Sequence, residues 1–218
     1  MGNQYKRAIQ VPYRHGDGQP MGGERNRKHL YVHAEGADRD QPNPVDLAHY
    51  MNRERIGAYH FLIALHGPHT GQVVQMLPAD KGAYAMGGYS DKTPGGFSLN
   101  RYGKRGIAVC VVGVEQSPKW RNMSLEAKVA WLQLLHWIKN QHGVPMYSAV
   151  GVPWGRKKES TIRKFMNRDG VWPHGGVPFQ WDRSDGMGHG LPLGIVRKGD
   201  EQAPLHKMIK HKKRKLRR

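Results

Sequence analysis

Two histidines and an aspartate raise the first chemical question. His33 follows directly on the apolar triplet Leu30-Tyr31-Val32. His174 stands in Trp172-Pro173-His174-Gly175-Gly176-Val177-Pro178, and Asp185 in Asp182-Arg183-Ser184-Asp185-Gly186. A strand end and two loops are where catalytic side chains concentrate, on chain held by a rigid scaffold. Two neutral imidazoles and a carboxylate fill three corners of a tetrahedral zinc site and leave the fourth for water. Zinc lowers the pKa of such a water from far above the physiological range to about 7. A chain with thirteen histidines contains many accidental triples, so the triple needs elements that bring it together.

The apolar pattern supplies those elements. Residues 30–32 predict the first core strand. After Pro42-Asn43-Pro44 breaks the chain, apolar residues at helical spacing over 45–51 predict a helix ending near Gly57. The aromatic and branched segment 59–65 predicts a strand, residues 66–71 a turn, and 72–77 a returning strand. Residues 84–104 are Gly-rich and irregular, which in a compact domain marks a functional loop. The run 107–114 is almost wholly apolar, the pattern of a strand buried on both faces. Ser124 is placed to cap a helix over 125–141, with Leu125, Val129, Leu132, Leu135 and Ile138 on one stripe and Gly143-Val144-Pro145 closing it. A third, more basic helix is predicted over 159–167. The expected fold class is α/β (α+β), a central mixed β-sheet flanked by helices. An N-terminal arm of residues 1–28 precedes a catalytic domain over 29–196, and a basic tail follows over 197–218.

Composition narrows the classes further. The chain has 218 residues, a formal charge of +18 and one cysteine, so an internal disulfide and a zinc ribbon are excluded. Its 38% hydrophobic content with six Trp and nine Tyr is too rich for a disordered chain. No secretory signal is visible after Met1, and the longest apolar run is strand-sized, far short of a bilayer span. From Leu205 the chain reads LHKMIKHKKRKLRR, with eight Lys/Arg and no acid. Such a tail attracts polyanions through its summed field: nucleic acid, anionic lipid or an anionic wall polymer.

Taken in order, a set of segments carries a resemblance. An apolar strand ends in His33. Tyr59-His60-Phe61-Leu62-Ile63 opens with an aromatic-His pair and continues apolar. Gln75-Met76-Leu77-Pro78-Ala79-Asp80 follows, then Asn100 and the buried run 106–113. After a long helix come His174 with Val177-Pro178, and Arg183-Ser184-Asp185-Gly186. This order, over residues 29–190, resembles the zinc-dependent N-acetylmuramoyl-L-alanine amidases, the family of the phage lysozyme-type amidases and the peptidoglycan recognition proteins.

The resemblance implies a Zn2+ ion held by His33, His174 and Asp185, with Asp182 and His189 in the same loop as alternatives for the third ligand. It implies Tyr59 as the site tyrosine and Arg183, in place of the usual lysine, as a fixed cation beside the reacting carbonyl. The substrate would be bacterial peptidoglycan, cut between the lactyl group of N-acetylmuramic acid and L-alanine. Two departures stand out: Ala85 occupies the place of a site histidine found in many members, and Cys110 that of a glutamate found in some. The phage branch shares the cysteine, so an endolysin-like enzyme is expected. It would be monomeric, held in the host cytoplasm until release to the wall or packaged in a virion, with the tail on anionic wall polymer or membrane surface. His60 is expected to be structural, and Trp172 and Trp181, flanking His174, are candidates for a groove wall. The competing functions are a basic nucleic-acid-binding protein, such as a His-rich metal nuclease, and a non-catalytic peptidoglycan-binding relative.

Overall fold

In a computed structural model of the chain, the described residues are 4–14, 29–35, 42–55, 59–83, 106–113, 123–149, 169–173 and 193–195. Among them, six strands make one mixed sheet: β1 (Ile9–Gln10), β2 (His29–Glu35), β3 (Phe61–Ala64), β4 (Val73–Gln75), β5 (Gly106–Val112) and β6 (Gly170–Pro173). The spatial order is β1-β4-β3-β5-β2-β6. Only the β3–β4 pair is antiparallel; every other neighbour is parallel. The turn joining β3 to β4 is the predicted one, held by Gly71 N–H to Ala64 C=O at 2.8 Å and by the Thr70 hydroxyl donating to Gly67 C=O at 2.6 Å.

Among the described residues two helices cover the faces: α1 (Pro44–Glu54) and α2 (Leu125–His142). α1 starts where Asn43 Oδ1 accepts from the backbone N–H groups of Val45 and Asp46, with Pro44 preset in the first turn. α2 starts where Ser124 Oγ accepts from Ala127 N–H at 3.1 Å, and ends at Gly143 in the left-handed region (φ 72°). Ala48 and Met51 of α1 pack with Leu62, Val74, Cys110 and Val112. Trp131, Leu134, Leu135 and Ile138 of α2 share the larger core with Phe61, Ile63, Val109 and Val111. Phe61 pairs with Val109 and Leu62 with Cys110, so the two helices cover opposite faces by strand alternation. That explains the continuous apolar run of β5, all seven of whose residues are buried: an inner strand under two helices has no face for water.

The buried stripe of α2 differs from the one its spacing predicts. Leu132, Leu135 and Ile138 are buried, but Leu125 and Val129 are 40% and 41% exposed, and Ala127, Trp131 and Leu134 are buried in their stead. The indole of Trp131 decides this. It is the largest fully buried side chain among the described residues, and its N–H donates to Leu193 C=O at 2.8 Å, so it can enter the core with its polar atom satisfied. The helix turns its face toward position 131 accordingly.

Residues 4–14 lie along the sheet. β1 pairs with β4, and Tyr5 and Val11 are buried. Gln75 is the pin: its Oε1 accepts from Tyr5 N–H at 2.8 Å, its Nε2 donates to Leu77 C=O at 3.0 Å, and its carbonyl accepts from Val11 N–H at 3.0 Å. Asn52 of α1 accepts from Arg14 N–H at 2.9 Å and so ties the far end of this segment to α1. No helix among the described residues is long and apolar enough to cross a membrane.

The Tyr31 ring of β2 packs over Gly106 of β5. A Cβ there would lie 2.2 Å from the Tyr31 ring, which cannot swing away because its hydroxyl is hydrogen-bonded to His29 Nδ1 at 2.8 Å and the residue is buried. Gly106→Ala is therefore expected to destabilise the fold by about 1–3 kcal/mol, seen as a lower denaturant midpoint at unchanged slope.

Candidate metal and catalytic site

His33 is completely buried within β2. Its register partner on β5 is Cys110, which is in turn the partner of Leu62 on β3. The three form one row across the sheet, on the face that α1 covers. Because β2, β5 and β6 run in the same direction, their carboxyl ends share one edge, the usual place for a ligand crevice in parallel sheets. Tyr59, two residues before β3, lays its half-buried ring edge-on against the His33 imidazole, with centroids 4.7 Å apart and planes at 71°. This packing holds the imidazole in one orientation before any ligand arrives. The fold thus brings together two of the five predicted site residues, from elements 26 positions apart in the chain.

The neighbouring histidine has a different task. Ala108 N–H donates to His60 Nδ1 at 2.9 Å, so the ring proton sits on Nε2, which donates to Lys81 C=O at 2.8 Å. The His60 backbone adds N–H to Ala108 C=O and C=O from Met76 N–H, both 3.0 Å. Both ring nitrogens are spent on the sheet, which leaves no lone pair for a metal. His60 is a rivet joining β5, the end of β4 and the segment after it.

Cys110 is sealed in the apolar cluster under α1, its sulfur 3.8 Å from Val111 C=O. Trp172, a candidate for a groove wall, is core instead. It is 2% exposed, opposite Tyr31 in the register and edge-on to His29 at 6.1 Å.

His174, Asp185 and Arg183 lie outside the described residues, as do Asp182, His189, Trp181, Ala85, Asn100, the predicted helix over 159–167 and the basic tail. β6 is described as far as Pro173, which pairs with Val32, the residue before His33; His174 is the next residue in sequence. Among the described residues no three His, Cys, Asp or Glu side chains gather to hold a metal. His33 is the one predicted ligand they contain. Its burial and its fixed ring suit a metal-ligating imidazole, which works best when orientation is imposed by its surroundings.

No family model and no curated protein matches the chain. Among solved structures it is similar to the hydrolase AmiA of Staphylococcus aureus in complex with its ligand, at 14% identity over 86% of this chain and 72% of that one, TM-score 0.49. It is also similar to the N-acetylmuramoyl-L-alanine amidase LysC from Clostridium intestinale, at 11% identity over 93% and 99% of the two chains, TM-score 0.47. A third is the Drosophila peptidoglycan recognition protein SD, at 12% identity over 89% of each chain, TM-score 0.46.

The neighbours His60 and Tyr59 predict different phenotypes. His60→Ala strands the Ala108 N–H and the Lys81 C=O inside the sheet and is expected to cost at least about 2 kcal/mol of stability, measured by thermal or denaturant unfolding. Tyr59→Phe keeps the ring against His33 and is expected to change stability by less than about 0.5 kcal/mol.

Proposed function

We propose that the chain is a peptidoglycan hydrolase of the endolysin kind, a zinc-dependent N-acetylmuramoyl-L-alanine amidase. It would cleave the amide between the lactyl group of N-acetylmuramic acid and L-alanine. The observation that carries this is the buried His33 imidazole, oriented by Tyr59, in the strand that pairs with the one leading into His174. Chain order supports the pairing of the two histidines: Pro173 and Val32 are partners on adjacent strands, and each histidine is the next residue in sequence.

In this proposal His33, His174 and Asp185 hold the ion, with Asp182 and His189 as the alternatives to Asp185. Zinc bound there would supply Lewis-acid activation of water and of the scissile carbonyl. The chain's own residues do the rest. His33 contributes a neutral imidazole nitrogen from a buried position in β2. The Tyr59 hydroxyl donates a hydrogen bond to the carbonyl oxygen as negative charge develops on it. Arg183 adds fixed positive charge. Donors aimed at a developing oxyanion each contribute about 10²–10³ in kcat.

The basic tail suits a polyanionic wall, concentrating the enzyme there in a salt-dependent way. Release into the wall from the host cytoplasm, or delivery in a virion, both accord with this role.

Three measurements test the proposal. The purified protein should hold about one zinc per chain and clear permeabilised bacteria while releasing free L-alanine amino termini; chelation should stop clearing and added zinc restore it. Clearing that is indifferent to chelation, or that releases reducing sugar instead, would sink the amidase assignment. His33→Ala should abolish clearing with little change in unfolding temperature, and Tyr59→Phe should lower kcat by about 10²-fold. Deleting residues 205–218 should weaken binding to whole walls more than hydrolysis of a small soluble substrate; equal loss on both argues against anchoring.

A further inference from the structure

A cleft of about 340 Å³ lies between α2 and the N-terminal segment, lined by Tyr5, Arg7, Gln133, His136, Trp137 and Asn140 among others. It belongs to the Phe61 face of the sheet, which α2 covers, whereas His33 belongs to the Cys110 face. The two sites are therefore separate.

The cleft's aromatic wall is rigid. Trp137 is half-buried and wedged between Tyr5, Phe61 and His142, with ring centroids at 5.4, 5.6 and 5.0 Å. Its polar groups are partly committed in a way that leaves definite capacity. An Arg7 Nη1–H donates to Gln133 Oε1, which turns the Gln133 amide nitrogen into the free donor and leaves the remaining guanidinium N–H groups for an acceptor. Asn140 Nδ2 is hydrogen-bonded to the His136 ring at 3.0 Å, which leaves its Oδ1 to accept. Tyr5 is 5% exposed, and burial raises its phenol pKa more than Arg7 lowers it, so the hydroxyl stays a donor. Among the described residues no carboxylate lines the cleft.

The geometry points to a second binding site, for a carboxylate-bearing sugar, with the pyranose stacked on Trp137 and the carboxylate on the Arg7 fork. Each part answers to one feature. A fixed indole face matches the apolar C–H face of a sugar ring. A planar amide donor and a planar amide acceptor match its hydroxyl and acylamino groups. An arginine fork in an acid-free lining recognises a carboxylate bidentately. The site rests on the peptidoglycan proposal only in the choice of probe.

A matched pair of monosaccharides tests it: N-acetylmuramic acid and N-acetylglucosamine, which differ only in the lactyl carboxylate arm. Both are titrated into the full-length protein while the Trp137 indole N–H resonance is followed, assigned by its loss in Trp137→Phe. N-Acetylmuramic acid should move that resonance and bind about tenfold more tightly than N-acetylglucosamine. Arg7→Gln should abolish the preference while leaving residual binding, and the exposed Asn140→Ala should weaken both sugars. The shifts should persist in His33→Ala, which removes the proposed hydrolytic site; if they persist while wild-type protein fails to lyse walls, the cleft stands and the hydrolase proposal falls. An unmoved Trp137 resonance, equal affinity for the two sugars, a preference that survives Arg7→Gln, or shifts lost in His33→Ala would each overturn the site.

Discussion

The parallel register of β2 between β5 and β6 is the constraint the rest of the molecule inherits. It aligns His33 with Cys110 and Val32 with Pro173. Strand alternation makes a register unforgiving, because a slip of one residue would send every side chain of β2 to the opposite face. His33 would then face α2 and the Phe61 cluster, and the hydrogen-bonded Tyr31 ring could not lie over Gly106. The glycine therefore acts as a gauge: the ring fits at one position of β2 against β5 and clashes at a residue with a Cβ.

Around that register the fold divides its polar residues into fasteners and chemistry. His60 and Gln75 are fasteners. Each is buried, and each spends its side-chain polar groups on backbone that no regular ladder bond reaches: His60 on Ala108 and Lys81, Gln75 on Tyr5 and Leu77. Buried polar groups persist only when satisfied in this way. His33, separated from His60 by β5, sits in an aromatic rather than a backbone setting, against the Tyr59 ring. The same residue type thus serves cohesion at one place and a candidate site at another, and the distinction lies in what the ring touches. The two helices divide the faces likewise: α1 packs against β3 and β4 on the face that carries His33, while the outer side of α2 and the N-terminal segment enclose a polar cleft on the other.

Much of the scaffold was legible because it depends on local pattern. The apolar run of β5, the aromatic and branched residues of β3, Ser124 before α2 and Gly143 after it each announce an element through short-range physics. Legibility ended where tertiary packing ranked equivalent candidates. The spacing of α2 allowed several stripes, and the choice fell to the one that buries Trp131, whose indole N–H meets Leu193, a residue more than sixty positions away. Trp172 could serve the core or, beside His174 in sequence, a groove wall, and its register beside Tyr31 put it inside.

For the candidate site, the chain's own composition determined the kinds of ligand on offer: imidazoles, carboxylates and a cationic surface. The order of its motifs named His33 and Tyr59 as residues that belong together. Only the tertiary structure decided that their rings meet at 4.7 Å while His60, adjacent to Tyr59 in sequence, is fully occupied by backbone. The physical reason is that a residue's chemistry is intrinsic but its partners are not. Proximity across strands is created by long-range pairing, and no local pattern encodes which nitrogen a distant amide will claim.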